Sequence, residues 1–281
     1  MTAIERQPNT ELHVADSGEP DLPPVLCLHS LFIDHTMFDE LVAAAAGRFR
    51  MIRPDFRGQG ASPAATTDIV TMDQCADDIL QLLDRLDLPR VHVVAQSMGG
   101  DVAVRVAARR PDAVGRLVLI GSSAREEPPE HLAAFRPIAD EVARRGIVDD
   151  LLDTTTAIMF GETCRDDPAR ADIVARWRAH FGALGTKVAP AIRGVVERPS
   201  AVDLLPRISA PTLVINGGED QARPPEWSQE LVDGIPDAEL WTLPNTGHSI
   251  ILEEPVVVIA RVLAFLGDDR PPEPPPGPVP G

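Results

Sequence analysis

Short apolar runs alternate with longer stretches of helical periodicity along most of this 281-residue chain. The runs Val25–Leu28, Met51–Pro54, Val91–Ala95, Leu117–Ile120, Leu213–Ile215 and Glu239–Leu243 are short, β-branched and bounded by turn residues, as buried strands are. A further strand around Leu12–Ala15 is expected to start an antiparallel hairpin. Amphipathic spacing predicts helices over Met72–Leu86, Gly100–Arg109, Glu226–Val232 and Val256–Leu266. Strands that alternate with helices in this way predict an α/β fold, with a mostly parallel central sheet flanked by helices.

The alternation stops after Ser122. From Ser123 to Asp203 the spacing is helical throughout, as in His131–Arg145, Val148–Ile158, Arg170–Phe181 and Val188–Val196. The strand rhythm resumes after Pro211. The pattern divides the chain into a discontinuous core, residues 1–122 and 204–267, and an inserted all-helical cap, residues 123–203. The stretch 268–281 is almost all proline, glycine and acidic residues and is expected to be a disordered tail.

Composition narrows the function classes. A formal charge of −17 argues against nucleic acid, whose phosphates are bound by clustered Lys and Arg, and against anionic membrane surfaces. The first residues lack a signal-peptide core, and no apolar stretch approaches the roughly 18 residues of a membrane span, so a cytoplasmic protein is expected. Cys27, Cys75 and Cys164 are scattered, without metal or redox spacing. No Gly-rich phosphate loop follows a strand, and no His/carboxylate spacing points to a metal, so neither cofactor nor metal is expected. Asp77, Asp78 and Asp84 read as the solvated face of a helix. The expected partner is a small-molecule substrate, with the oligomeric state left open.

The chemistry starts at Ala95-Gln96-Ser97-Met98-Gly99-Gly100, between an apolar strand and a helix. A serine on so tight a turn is lifted clear of the sheet, and small neighbours let strand and helix pass closely. The usual pattern is G-x-S-x-G; alanine replaces the first glycine here. Two later strands also run into loops carrying catalytic residue types: Gly217-Gly218-Glu219-Asp220 and Asn245-Thr246-Gly247-His248. Ligands gather at the carboxyl ends of parallel strands.

The order Ser, Asp, His, with Leu28-His29-Ser30-Leu31, Asp55-Phe56-Arg57-Gly58-Gln59-Gly60-Ala61-Ser62 and Gly247-His248 through Pro255, resembles the α/β-hydrolases with a helical cap over residues 10–267. Within that superfamily the Ser-Met-Gly-Gly turn and His-Ser-Leu loop are most similar to 3-oxoadipate enol-lactonases and related esterases. The resemblance implies Ser97 as nucleophile, His248 as base, Asp220 as the acid orienting it, and backbone N–H groups of Leu31 and Met98 as an oxyanion hole. It implies hydrolysis of a carboxylic ester or lactone through an acyl-enzyme. Relatives also cleave C–C or amide bonds, act as perhydrolases, or sense ligands with little turnover, and these alternatives stay open. Glu219 competes with Asp220, and His29 is expected to shape its loop. Asp55 and Arg57 are expected to be structural. Phe32, Phe160 and Trp177, together with Met98, Met159 and Phe181, are candidates to line the substrate pocket; Arg125, Arg193 and Arg198 are candidates for a substrate carboxylate.

Overall fold

A computed structural model describes residues 11–267; the predicted tail and the chain's first ten residues lie outside the described residues. Seven strands form one sheet in the order β1-β3-β2-β4-β5-β6-β7. They are β1 Val14–Asp16, β2 Pro24–Leu28, β3 Arg50–Pro54, β4 Val91–Gln96, β5 Val114–Ile120, β6 Thr212–Gly217 and β7 Ala238–Leu243. All neighbours run parallel except β1. The expected hairpin does not form. β1 pairs antiparallel with β3, Val14 facing Pro54, because both edges of β2 are taken by β3 and β4.

The helices are α1 Asp39–Ala45, α2 Met72–Arg85, α3 Met98–Arg109, α4 Pro129–Arg145, α5 Asp150–Met159, α6 Glu162–Asp166, α7 Ala171–Ala183, α8 Ala189–Val196, α9 Pro225–Gly234, α10 Ile250–Glu253 and α11 Pro255–Leu266. Thr71 starts α2 with a capping box, its hydroxyl accepting from the Gln74 N–H while the Gln74 side chain accepts from the Thr71 N–H. Alternate residues of the central strands feed two apolar layers. Leu26, Val93, Leu117 and Val214 face α2, α3 and α9; Val25, Val94, Val118 and Leu213 face α1 and α11. Burial on both faces is why these strands read as continuous apolar runs.

Between β5 and β6 the described residues are helical and irregular, with α4–α8 in succession. The turn Val202–Arg207 that follows already packs on α3 and α9 of the core. No helix among the described residues is long and apolar enough to cross a membrane. The three cysteines are free and buried, and burial pushes the Cys27 thiol up to about 12.

Candidate active site

Ser97 stands alone between the last residue of β4 and the first of α3, with φ 53° and ψ −115°. A non-glycine residue at positive φ is strained, and the surroundings hold it there. Its N–H donates to the Ile120 carbonyl (2.9 Å), and its carbonyl accepts from Gly100 (2.8 Å) and Asp101 (3.0 Å). Gly99 has no substitute at this turn: a Cβ there would lie 2.1 Å from the Leu28 carbonyl oxygen.

The loops after β6 and β7 bring two more side chains to this point. His248 Nε2 is 2.8 Å from Ser97 Oγ, and His248 Nδ1 is 2.8 Å from Asp220 Oδ2. Asp220 Oδ1 accepts from the N–H groups of Ala222 (2.9 Å) and Arg223 (2.8 Å), which fixes the carboxylate. The Gln96 amide donates to the His248 carbonyl (3.0 Å) and ties the histidine loop to the end of β4. Gly121, just past β5 at φ +49°, lies under the pair; a Cβ there would be 3.2 Å from Asp220 Oδ2. All three side chains are buried. A carboxylate acceptor at Nδ1 keeps the proton on that nitrogen and leaves Nε2 to accept from the serine hydroxyl. Glu219, the competing acid, points elsewhere: it accepts from the N–H and hydroxyl of Thr163 at α6.

The histidine loop rests on a second carboxylate that sequence reasoning missed. Glu253 is buried and accepts from the N–H groups of Gly247 (2.9 Å), Ser249 (3.1 Å) and Gly161 (3.2 Å). Burial, only partly offset by these donors, raises its pKa to about 7. Its position five residues after His248 was the available signal.

On the other side of Ser97 lies the loop after β2. His29 Nε2 accepts from the Phe56 N–H (2.9 Å), so Nδ1 carries the proton and donates to the Ser30 carbonyl (2.8 Å). Burial holds its pKa below the ordinary histidine value. His29 thus shapes the loop from inside. Phe32, at φ 67°, donates its N–H to Gln59 Oε1 (3.2 Å). That bond takes the Phe32 N–H, and Leu31 is the neighbour that lines the cavity beside Ser97. Met98 opens α3, where the first N–H groups lack helical partners. Its side chain turns into the core and touches Gln59.

The cavity above Ser97 holds about 270 Å³ and is walled by the β2 loop and the helical insertion. Phe32, Phe135, Ile138, Ile158, Met159 and Val195 make its wall largely apolar, and Glu127, His131 and Arg223 form one polar end. Phe160 and Trp177 do not line it. Both are buried with Phe181 in the layer shared with Ile33, Ile215 and Ile250, because α7 and the extended residue just past α5 turn these rings toward the α1/α11 side of the sheet. A larger groove of about 510 Å³ lies at the amino ends of β2, β4, β5 and β6, but Ser97 and its partners are at the carboxyl ends.

Three candidate arginines also fall outside the cavity wall. Arg125 pairs with Glu230, and Arg193 with Asp140. Arg198 is buried against Glu127 and Asp101. The acidic face of α2 is less solvated than expected, since Asp78 is buried and paired with Arg57, while Asp77 and Asp84 meet Arg109 and Arg110 outside. Asp55 receives the N–H groups of His35 (2.8 Å) and Ala61 (2.9 Å), and its carboxylate lies 3.0 Å from Nδ1 of both His13 and His35. Among the described residues this is the one grouping with metal-ligand proximity, which the wide sequence separation of the three had hidden. Its backbone donors pin the β2 loop to the end of β3.

Residues 23–255 match the model of the alpha/beta hydrolase fold family. The chain belongs to that family. Among solved structures it is similar to a thermophilic esterase from Thermogutta terrifontis, solved with malate bound, at 31% identity and TM-score 0.82, over 91% of this chain and 92% of that one. It is also similar to the enol-lactonase from Burkholderia xenovorans LB400, at 29% identity and TM-score 0.82, over 91% and 96%. A curated relative from Variovorax paradoxus (strain S110), named "Putative carbamate hydrolase RutD", is 32% identical over 81% of this chain and 85% of its own.

Proposed function

We propose that this protein is a serine hydrolase that cleaves a carboxylic ester or lactone of a small organic substrate. The observation that carries the proposal is the unbroken chain from Ser97 Oγ through His248 to Asp220, with both links at 2.8 Å. A serine hydroxyl is a weak nucleophile at its ordinary pKa and needs a base at hydrogen-bond distance as it attacks. His248 takes that proton, then returns it to the leaving alkoxide. Asp220 holds the ring in the required tautomer and stabilises the imidazolium. The tetrahedral oxyanion is received by the N–H groups of Met98 and Leu31, donors fixed in place before the reaction begins. The strained backbone of Ser97 presents Oγ to the cavity at no further cost during turnover. Water, activated by His248, then releases the acid. The helical insertion acts as the cap that selects the substrate while the core performs the chemistry.

The names of the esterase and enol-lactonase neighbours support this bond type. The name of the Variovorax relative supports a second reading, attack on a carbamate by the same three residues. Intact-mass analysis after treatment with a fluorophosphonate tests the nucleophile. A single adduct on Ser97, absent from Ser97→Ala, is expected, and labelling elsewhere with Ser97 unmodified overturns the assignment. Steady-state rates on matched ester and carbamate substrates then separate the two readings.

A further inference from the structure

The polar end of the cavity closes a ring of four buried charges. Arg198 Nη1 donates to Glu127 Oε1 (2.6 Å), and Arg223 Nη1 donates to the same oxygen (3.1 Å). On the far side Arg198 Nε lies 3.3 Å from Asp101 Oδ2, and Arg223 Nη2 donates to that oxygen (3.4 Å). Each guanidinium therefore bridges both carboxylates. All four residues are at least nine-tenths buried. Burial opposes the charge on Glu127, but Arg223 and Arg198 outweigh it and keep its pKa below the usual range. The second Glu127 oxygen is 3.1 Å from His131 Nδ1. Two cations meet two anions, and the ring has no net charge.

Only Glu127 and Arg223 of this ring reach the cavity wall. Alone, an arginine in an apolar cavity above a nucleophilic serine would make a receptor for a substrate carboxylate. Here that guanidinium already serves two carboxylates. An incoming anion would lose its water against Phe135, Ile138 and Val195, share its cation with Glu127, and lie in the field of Asp220 as well. We propose that the Asp101–Arg198–Glu127–Arg223 ring makes this site selective for uncharged substrates, with Glu127 as the residue that withholds Arg223 from a substrate carboxylate. The inference rests on the ester or lactone reading. The modest cavity, at the small end of ligand pockets, adds that the group it takes is compact and apolar.

The test compares neutral and anionic partners on both sides of the ester, by acid release in a pH-stat: ethyl hexanoate against monoethyl adipate, and hexyl acetate against 6-acetoxyhexanoate. In whichever pair places its variable group in the cavity, kcat/KM should favour the neutral member by about 100-fold, the scale of a buried charge without a partner of its own. Glu127→Gln frees one positive charge and should shift the ratio at least about tenfold toward the anion. Arg223→Met leaves excess negative charge and should shift it the other way, so one folded variant of the two suffices. Anionic members turned over as well as or better than neutral ones in both pairs, or a ratio that stays fixed in a folded variant, would overturn the proposal. Loss of all turnover together with no Ser97 labelling by fluorophosphonate would instead bring down the hydrolase reading beneath it.

Discussion

Single residues of the candidate site meet because of where their backbone puts them. Ser97, Asp220 and His248 were legible because each follows an apolar strand at the sheet's carboxyl edge, where a parallel sheet sends its loops to one place. Phe32, one of six apolar candidates for the pocket, does line it. Glu253 was not legible, since a glutamate at the start of a helical pattern reads as solvated until its three backbone donors are seen. Its raised pKa has a measurable consequence. The folded protein holds this proton up to about pH 7, whereas the unfolded chain releases it near the ordinary glutamate value of 4.5. Between those values the folded state binds more protons, so this group's contribution to stability falls as pH rises. The melting temperature of the wild type should therefore drop more steeply from pH 4.5 to 7 than that of Glu253→Gln; parallel curves would contradict the account. Ser30 carries a second prediction. Its hydroxyl is buried at the cavity wall without a protein partner. If it donates to the reacting carbonyl, Ser30→Gly should lower kcat about 10²-fold with little change in KM, the low end of the losses for oxyanion donors. An unchanged kcat would leave the oxyanion to the two backbone donors.

At the scale of elements, the helical insertion was visible as lost strand rhythm, and its helices fall close to where periodicity set them. What periodicity could not supply was which layer each apolar face would join. Trp177 and Phe160 have the spacing of a buried face, and so do Ile158 and Val195. Only the packing sends the first pair toward the α1/α11 layer and the second pair to the cavity. The two pairs should behave differently when truncated. Trp177→Ala should cost about 3–5 kcal/mol of stability, as a buried aromatic lost from a packed core does, and leave relative kcat/KM among substrates unchanged. Ile158→Ala should shift relative kcat/KM between small and bulky acyl groups by roughly tenfold to two-hundredfold. Thermal melts and an ester panel on both variants decide it. A selectivity change in Trp177→Ala with none in Ile158→Ala would reverse the assignment. The antiparallel β1 illustrates the same limit: a three-residue strand carries too little pattern to name its partner.

At the scale of the whole molecule, contacts between residues far apart in sequence join the insertion to the core around the site. The charge ring links Glu127 and Arg198 to Asp101 and Arg223, Glu219 holds Thr163, and Glu253 holds both Gly161 and the histidine loop. No local sequence pattern announces such pairs, which is why the ring and the His13–His35–Asp55 grouping emerged only with the fold. The parallel sheet itself was legible because its strands are buried on both faces. The joined architecture puts Ser97 at the wall of the apolar cavity, and the proposed chemistry depends on that placement. The most direct measurement is kcat of Ser97→Ala on the best ester or lactone, with circular dichroism and a melting curve to establish that the fold is intact. A loss of at least about 10³-fold without a change of fold is expected. Near-native turnover by the folded variant would contradict it.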